Sequence, residues 1–117
     1  MKQSKQSKPQ MNVLLVMNDT VLATSIEGIL SRKRRLHINR VSPECLDLEE
    51  EIENTKPKVI ILNPMAFSMQ SPECLISMLS DPDVMKVLIV NPENNLVQIF
   101  KKQKITLVSK QNFSNLF

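Results

Sequence analysis

Three asparagines hold the positions at which this chain could do chemistry. Asn18, Asn63 and Asn91 each follow an unbroken apolar run, Val13–Met17, Val59–Leu62 and Val87–Val90. A strand with one solvated face alternates, whereas a continuous Val/Ile/Leu run belongs to a strand covered on both faces. In open α/β sheets the carboxyl ends of such strands are where ligands and reacting groups gather. A working site there usually keeps acids or hydroxyls; an amide neither ionises nor attacks. The pattern points to absent chemistry.

The other reactive side chains are sparse. His37, the single histidine, has no Cys/His/Asp cluster around it in the sequence and reads as a surface imidazole rather than a metal ligand. Cys45 and Cys74 fall in the first turns of expected helices, which can depress a thiol pKa, but no base accompanies either. Two cysteines in 117 residues make no disulfide framework. The segment Met17-Asn18-Asp19-Thr20 contains no Gly-rich phosphate cradle. No metal, no cofactor and no enzymatic activity are expected.

The elements that position these residues alternate along the chain. Residues 1–10 are Lys/Gln/Ser-rich with nothing to bury and read as a disordered basic leader, leaving 11–117 as one domain. After the first strand, Asp19 or Thr20 caps a helix whose Leu22, Ile26, Ile29 and Leu30 share a face. Gly28 sits inside that helix, where close packing against a neighbour is the expected reason for a residue that costs about 0.5–1 kcal/mol against Ala. The helix ends in Ser31-Arg32-Lys33-Arg34-Arg35, cations that suit a helix carboxyl end. Leu36–Val41 is a more polar strand, fit for a sheet edge.

The pentapeptide Ser42-Pro43-Glu44-Cys45-Leu46 recurs as Ser71-Pro72-Glu73-Cys74-Leu75, and both copies read as helix starts. The second helix turns Cys45, Leu48 and Ile52 inward and carries Asp47, Glu49, Glu50, Glu51 and Glu53 elsewhere. Met65–Gln70 reads as a Met-rich loop, 72–80 as the third helix, Leu96–Lys102 as a short fourth helix, and Ile105–Ser109 as the fifth strand. The expected fold is α/β, a doubly wound five-stranded parallel sheet in the order 2-1-3-4-5.

The totals exclude several classes. A formal charge of +3, partly from Lys2, Lys5 and Lys8, does not by itself imply nucleic acid. Trp and Tyr are absent, and Phe67, Phe100, Phe113 and Phe117 are too few for a base-stacking platform. No run approaches the roughly 18 apolar residues of a membrane span, and no apolar stretch backs the N-terminal residues, so the cytoplasm is the expected location.

In their order and spacing, residues 13–20 (VLLVMNDT), 57–64 (PKVIILNP), 87–92 (VLIVNP) and 107–110 (LVSK) resemble a response-regulator receiver domain, flavodoxin-like, over most of residues 12–111. The resemblance implies an acidic pair after the first strand, a phospho-accepting Asp after the third, a Thr or Ser after the fourth and a Lys after the fifth. Here those positions fall on Met17 and Asn18 with Asp19 just beyond, on Asn63, on Asn91 and on Lys110. Only the lysine matches. A neutral amide cannot form an acyl phosphate, and Met17-Asn18 offers a hard cation no carboxylate. The resemblance therefore implies a degenerate phospho-pocket, in which Lys110 donates a hydrogen bond to the carbonyl oxygen of Asn63 or Asn91.

Receivers also end in a fifth helix, which here is truncated or missing, since only Asn112–Phe117 follows. An uncovered apolar flank tends to mark an interface. Leu96, Phe100, Phe113 and Phe117, on the fourth-helix and fifth-strand face, are its candidate residues, for a homodimer or another protein partner. The function expected on this resemblance is a phosphorylation-independent receiver-like protein–protein interaction module in bacterial signal transduction or regulation. The weaker alternatives are a nucleic-acid accessory regulator using Arg32, Lys33, Arg34 and Arg35, and a phosphocarrier or enzyme on a flavodoxin-like fold.

Overall fold

The computed structural model describes residues 11–33, 35–45, 47–94, 96–101 and 104–109. The expected leader 1–10, Arg34, Lys110, Phe113, Phe117 and the end of the chain lie outside the described residues. The elements are β1 (Met11–Val16), α1 (Thr20–Leu30), β2 (Leu36–Val41), a 3-10 turn (Pro43–Cys45), α2 (Leu48–Thr55), β3 (Val59–Leu62), α3 (Pro64–Ser68), α4 (Pro72–Ser80), β4 (Lys86–Asn91), β5 (Leu96–Lys101) and β6 (Lys104–Ser109). They form an α/β fold around a single, mostly parallel sheet of order β2-β1-β3-β4-β5-β6. The β1–β2, β1–β3 and β3–β4 pairs are parallel.

The apolar runs are continuous because both faces of the sheet are covered. Val13 and Leu15 of β1 and Val59 and Ile61 of β3 join Leu22, Ala23, Ile26 and Leu30 of α1 in one core cluster. Leu14, Val16, Ile60 and Leu62, the alternate residues, pack with Leu48 and Ile52 of α2 and Cys74 and Met78 of α4. Successive strand side chains point to opposite faces, so one run feeds two cores. β2 occupies the edge of the sheet and exposes His37 and Arg40. Asn12 Nδ2 donates to the Thr55 carbonyl at 2.7 Å, tying the start of β1 to the end of α2. That end is closed by Lys56 in the left-handed region, φ 48°.

Four expectations are corrected. The first concerns the sheet, which among the described residues has six strands and is parallel only as far as β4. Leu96–Lys101 is a strand rather than a fourth helix, antiparallel to β4, and β6 is antiparallel to β5. The connection 92–95 is far shorter than the dozen or so residues a parallel crossover needs, so β4 and β5 must form a hairpin. Second, Ser42–Leu46 does not start α2: Pro43–Cys45 forms a 3-10 turn, and Asp47 caps α2 by accepting from Glu50 N at 3.3 Å. Third, Met65–Gln70 is not a loop throughout, because Asn63-Pro64 opens the short helix α3.

Fourth, Gly28 has no close neighbour: a Cβ built on it meets nothing within 4 Å, and its φ is not positive. Close packing does not explain this glycine. Gly28→Ala is therefore expected to stabilise the protein by about 0.5–1 kcal/mol, seen as a higher denaturant midpoint at unchanged slope. A lower midpoint would show that the position does need glycine.

Candidate functional site

The carboxyl ends of the parallel strands form one edge of the sheet. In register, Val16 lies beside Leu62 and Leu62 beside Ile89. One or two residues further along come Asn18, Asn63 and Asn91, so the topology brings the three amides to this edge. Each has a local structural task.

Asn63 is 7% exposed, the buried polar side chain among the described residues. Its Oδ1 accepts from Ala66 N at 2.8 Å, which caps α3, while its carbonyl accepts from Phe67 N at 3.0 Å. Asn91 Oδ1 accepts from Glu93 N at 2.9 Å, and Asn94 Oδ1 from Leu96 N at 3.1 Å, which together shape the β4–β5 turn. Exposed Asn18 donates through Nδ2 to Glu44 Oε1 at 2.7 Å. Asp19 caps α1, its Oδ1 accepting from Leu22 N at 3.0 Å. Met17 is buried in the core cluster of α1 and offers this edge no polar group.

Among the described residues, cavities open along the edge at two places. One of about 390 Å³ is lined by Met17, Asn18, Thr20, Arg40, Val41 and Ser42. The other, about 230 Å³, lies among Pro64, Ile89, Asn91, Asn94, Leu96 and Gln98. Neither contains a nucleophile with a base beside it. Arg40 is engaged with Glu27 at 2.9 Å. The described residues hold no group of three His, Cys, Asp or Glu side chains placed to share an ion.

No family model, curated protein or solved structure matches this chain. The site must be read from its own geometry. That geometry changes what the resemblance implies for Lys110, which lies outside the described residues. The strand before it, β6, is not the neighbour of β4. Asn91 pairs with Leu96, and Leu96 pairs with Ser109, so β5 stands between. At about 4.8 Å per strand, Ser109 is about 10 Å from the Asn91 column and farther still from β3. The strand that precedes Lys110 is therefore not the neighbour of β3 or β4, and the expected bond from Lys110 to Asn63 or Asn91 lies outside the described residues.

The remaining candidates are dispersed. Leu96 is 38% exposed at the start of β5. Phe100 is half-buried and stacks on Phe67 of α3, ring centroids 6.2 Å apart, so this part of the expected interface is packed against the protein itself. Arg32 and Arg35 are exposed beyond the end of α1, with Lys33 half-buried between them. His37 is exposed on β2.

Cys74 is buried, and its Sγ donates to Gln70 Oε1 at 3.6 Å. Burial, with smaller contributions from the Glu49 and Asp47 carboxylates, pushes its pKa above the ordinary thiol value, so the first-turn position does not activate it. At neutral pH the group is a thiol and a poor nucleophile. No helix among the described residues is long and apolar enough to cross a membrane.

Sequence reasoning missed Glu44 as the partner of Asn18 and missed Asn94 in the turn. Asn94 carries a local signal, the Asn-rich segment after Pro92, because Asn side chains often bond backbone two residues on. The Asn18–Glu44 bond joins residues far apart in the chain and carries no such signal.

Proposed function

We propose that the chain is a receiver-like module that acts through protein–protein contacts without being phosphorylated, in signal transduction or regulation. The reading includes a doubly wound, flavodoxin-like arrangement of the parallel strands, supported by α1 on one face and α2 and α4 on the other. The observation that carries it is the state of Asn63. At the end of β3, where the family resemblance requires a phospho-accepting carboxylate, the side chain is a buried amide already capping a helix. An amide oxygen cannot become an acyl phosphate, and Met17, in the expected cation-holding pair, is buried in the core. What remains for a partner to read is shape and surface charge.

Incubation with acetyl phosphate and Mg²⁺, followed by intact-mass measurement, is expected to show no phosphoryl adduct. Amide NMR signals around Asn63 and Asn91 are expected to stay in place as Mg²⁺ is added. A stoichiometric adduct would falsify the proposal, and so would a saturable Mg²⁺-dependent shift at this edge.

A further inference from the structure

We propose that two copies of this chain associate end to end, the groove between α2 and α4 of each copy receiving the basic end of α1 of the other. The argument starts from the direction of the helices. β1 to β4 are parallel, and α1, α2 and α4 lead back between them, so all three helices finish at the amino edge of the sheet. α1 belongs to one face, α2 and α4 to the opposite face. The two ends differ in charge.

On the first face Arg32, Lys33 and Arg35 follow α1. On the second, a groove of about 280 Å³ has Glu49, Glu53 and Asp81 on its walls and Ile52 and Pro82 among its apolar lining. No basic side chain among the described residues lines it. None of these six charged groups has an ion-pair partner among the described residues. Acids in the first turn of α2 are accounted for by the positive end of the helix dipole. Glu53 is not: it lies in the last turn, where the dipole opposes a carboxylate. The neighbouring α4 also leaves Ile76 and Leu79 exposed.

A second copy is the occupant that symmetry favours. A twofold axis in the plane of the sheet, perpendicular to the strands and lying across the amino edge, reverses the strands and exchanges the faces. It sets the basic end of each copy opposite the acidic groove of the other, and it does so twice. Such a contact is isologous and closes as a dimer. An unrelated basic partner would use the groove but leave the basic end unmatched. The interface stands apart from the reading of Asn63, because it uses the opposite edge of the sheet.

Exposed charge pairs are individually weak and screened by salt, so association is expected at high protein concentration and low ionic strength. Sedimentation of the full chain should show a monomer–dimer equilibrium whose dissociation constant rises about tenfold or more between about 50 mM and about 500 mM salt. The doubly substituted variants E49K/E53K and R32E/R35E should each be monomeric. An equimolar mixture of the two should regain the dimer, because in the heterodimer both contacts again oppose unlike charges.

A wild-type chain that stays monomeric at low salt overturns the proposal. So does a dimer indifferent to salt or to either variant, and so does a mixture that remains monomeric. Circular dichroism reports whether each variant is folded. If a charge reversal unfolds the chain, E53Q and R35Q carry the same test, each expected to raise the dissociation constant severalfold, and no effect of either on the dimer sinks the interface.

Discussion

Asn63→Ala is expected to destabilise the protein by about 2–3 kcal/mol, measured as a lower denaturant midpoint at unchanged slope. Losing an Asn N-cap costs about 0.5–2 kcal/mol at an ordinary helix start. Here the position is more demanding, because the donor it satisfies, Ala66 N–H, belongs to a fully buried residue. Without Oδ1 that N–H has no acceptor, and a buried unsatisfied donor costs about 1–3 kcal/mol. The Phe67–Phe100 stack adds a second consequence, since Phe67 rides on the helix that Asn63 starts.

Asn63→Asp retains an acceptor at the same place and is expected to lose less than the alanine variant. It should also remain unphosphorylated by acetyl phosphate, because Met17 is buried and Asn18 offers no carboxylate to hold Mg²⁺ beside it. An alanine variant as stable as the wild type would mean that Asn63 is not kept for structure, and the case for a silent strand end would lose its support.

What could be read from the sequence follows from the range of the forces involved. Val13–Met17, Val59–Leu62 and Val87–Val90 are recognisable because burial on both faces leaves a signature within the run itself. The repeated pentapeptide shows where local reading stops. At Ser71-Pro72 it starts α4 as the capping rules require, Ser71 Oγ accepting from Cys74 N at 3.1 Å. At Ser42-Pro43 the same residues give a 3-10 turn, and the cap passes to Asp47, which lets Leu48 and Ile52 face the sheet. Tertiary packing chose between two starts that the sequence makes nearly equivalent.

Asn63-Pro64 is a third instance, an N-cap followed by Pro at the first helical position, and the same rule locates α3 once it is applied there. The strand-end asparagines were legible as a set. Their hydrogen bonds were not, since an amide at that edge can cap a helix, shape a turn or reach across to Glu44 with equal chemical ease.

The segment 96–100 is where period decides between two folds, and a scan along it gives a second large effect. Ile99→Ala is expected to cost about 2–4 kcal/mol and Val97→Ala about 1–3, whereas Leu96→Ala and Gln98→Ala should each cost less than about 1. Val97 is 0% and Ile99 2% exposed, both in the cluster beneath α1, while Leu96 and Gln98 are exposed. Ile99 pairs with Leu88 on one side and Thr106 on the other, so its loss opens a cavity inside a strand bounded on both sides.

A helix over these residues would instead place Leu96, Ile99 and Phe100 on one face, at i, i+3 and i+4, so that Leu96 would be buried along with Ile99. Losses that rise and fall with every second residue support the hairpin. A loss at Leu96 as large as those at Ile99 and Phe100 would restore a helix here, and with it a parallel crossover after β4. The alanine series therefore decides, in stability alone, between a strand and a helix at 96–100.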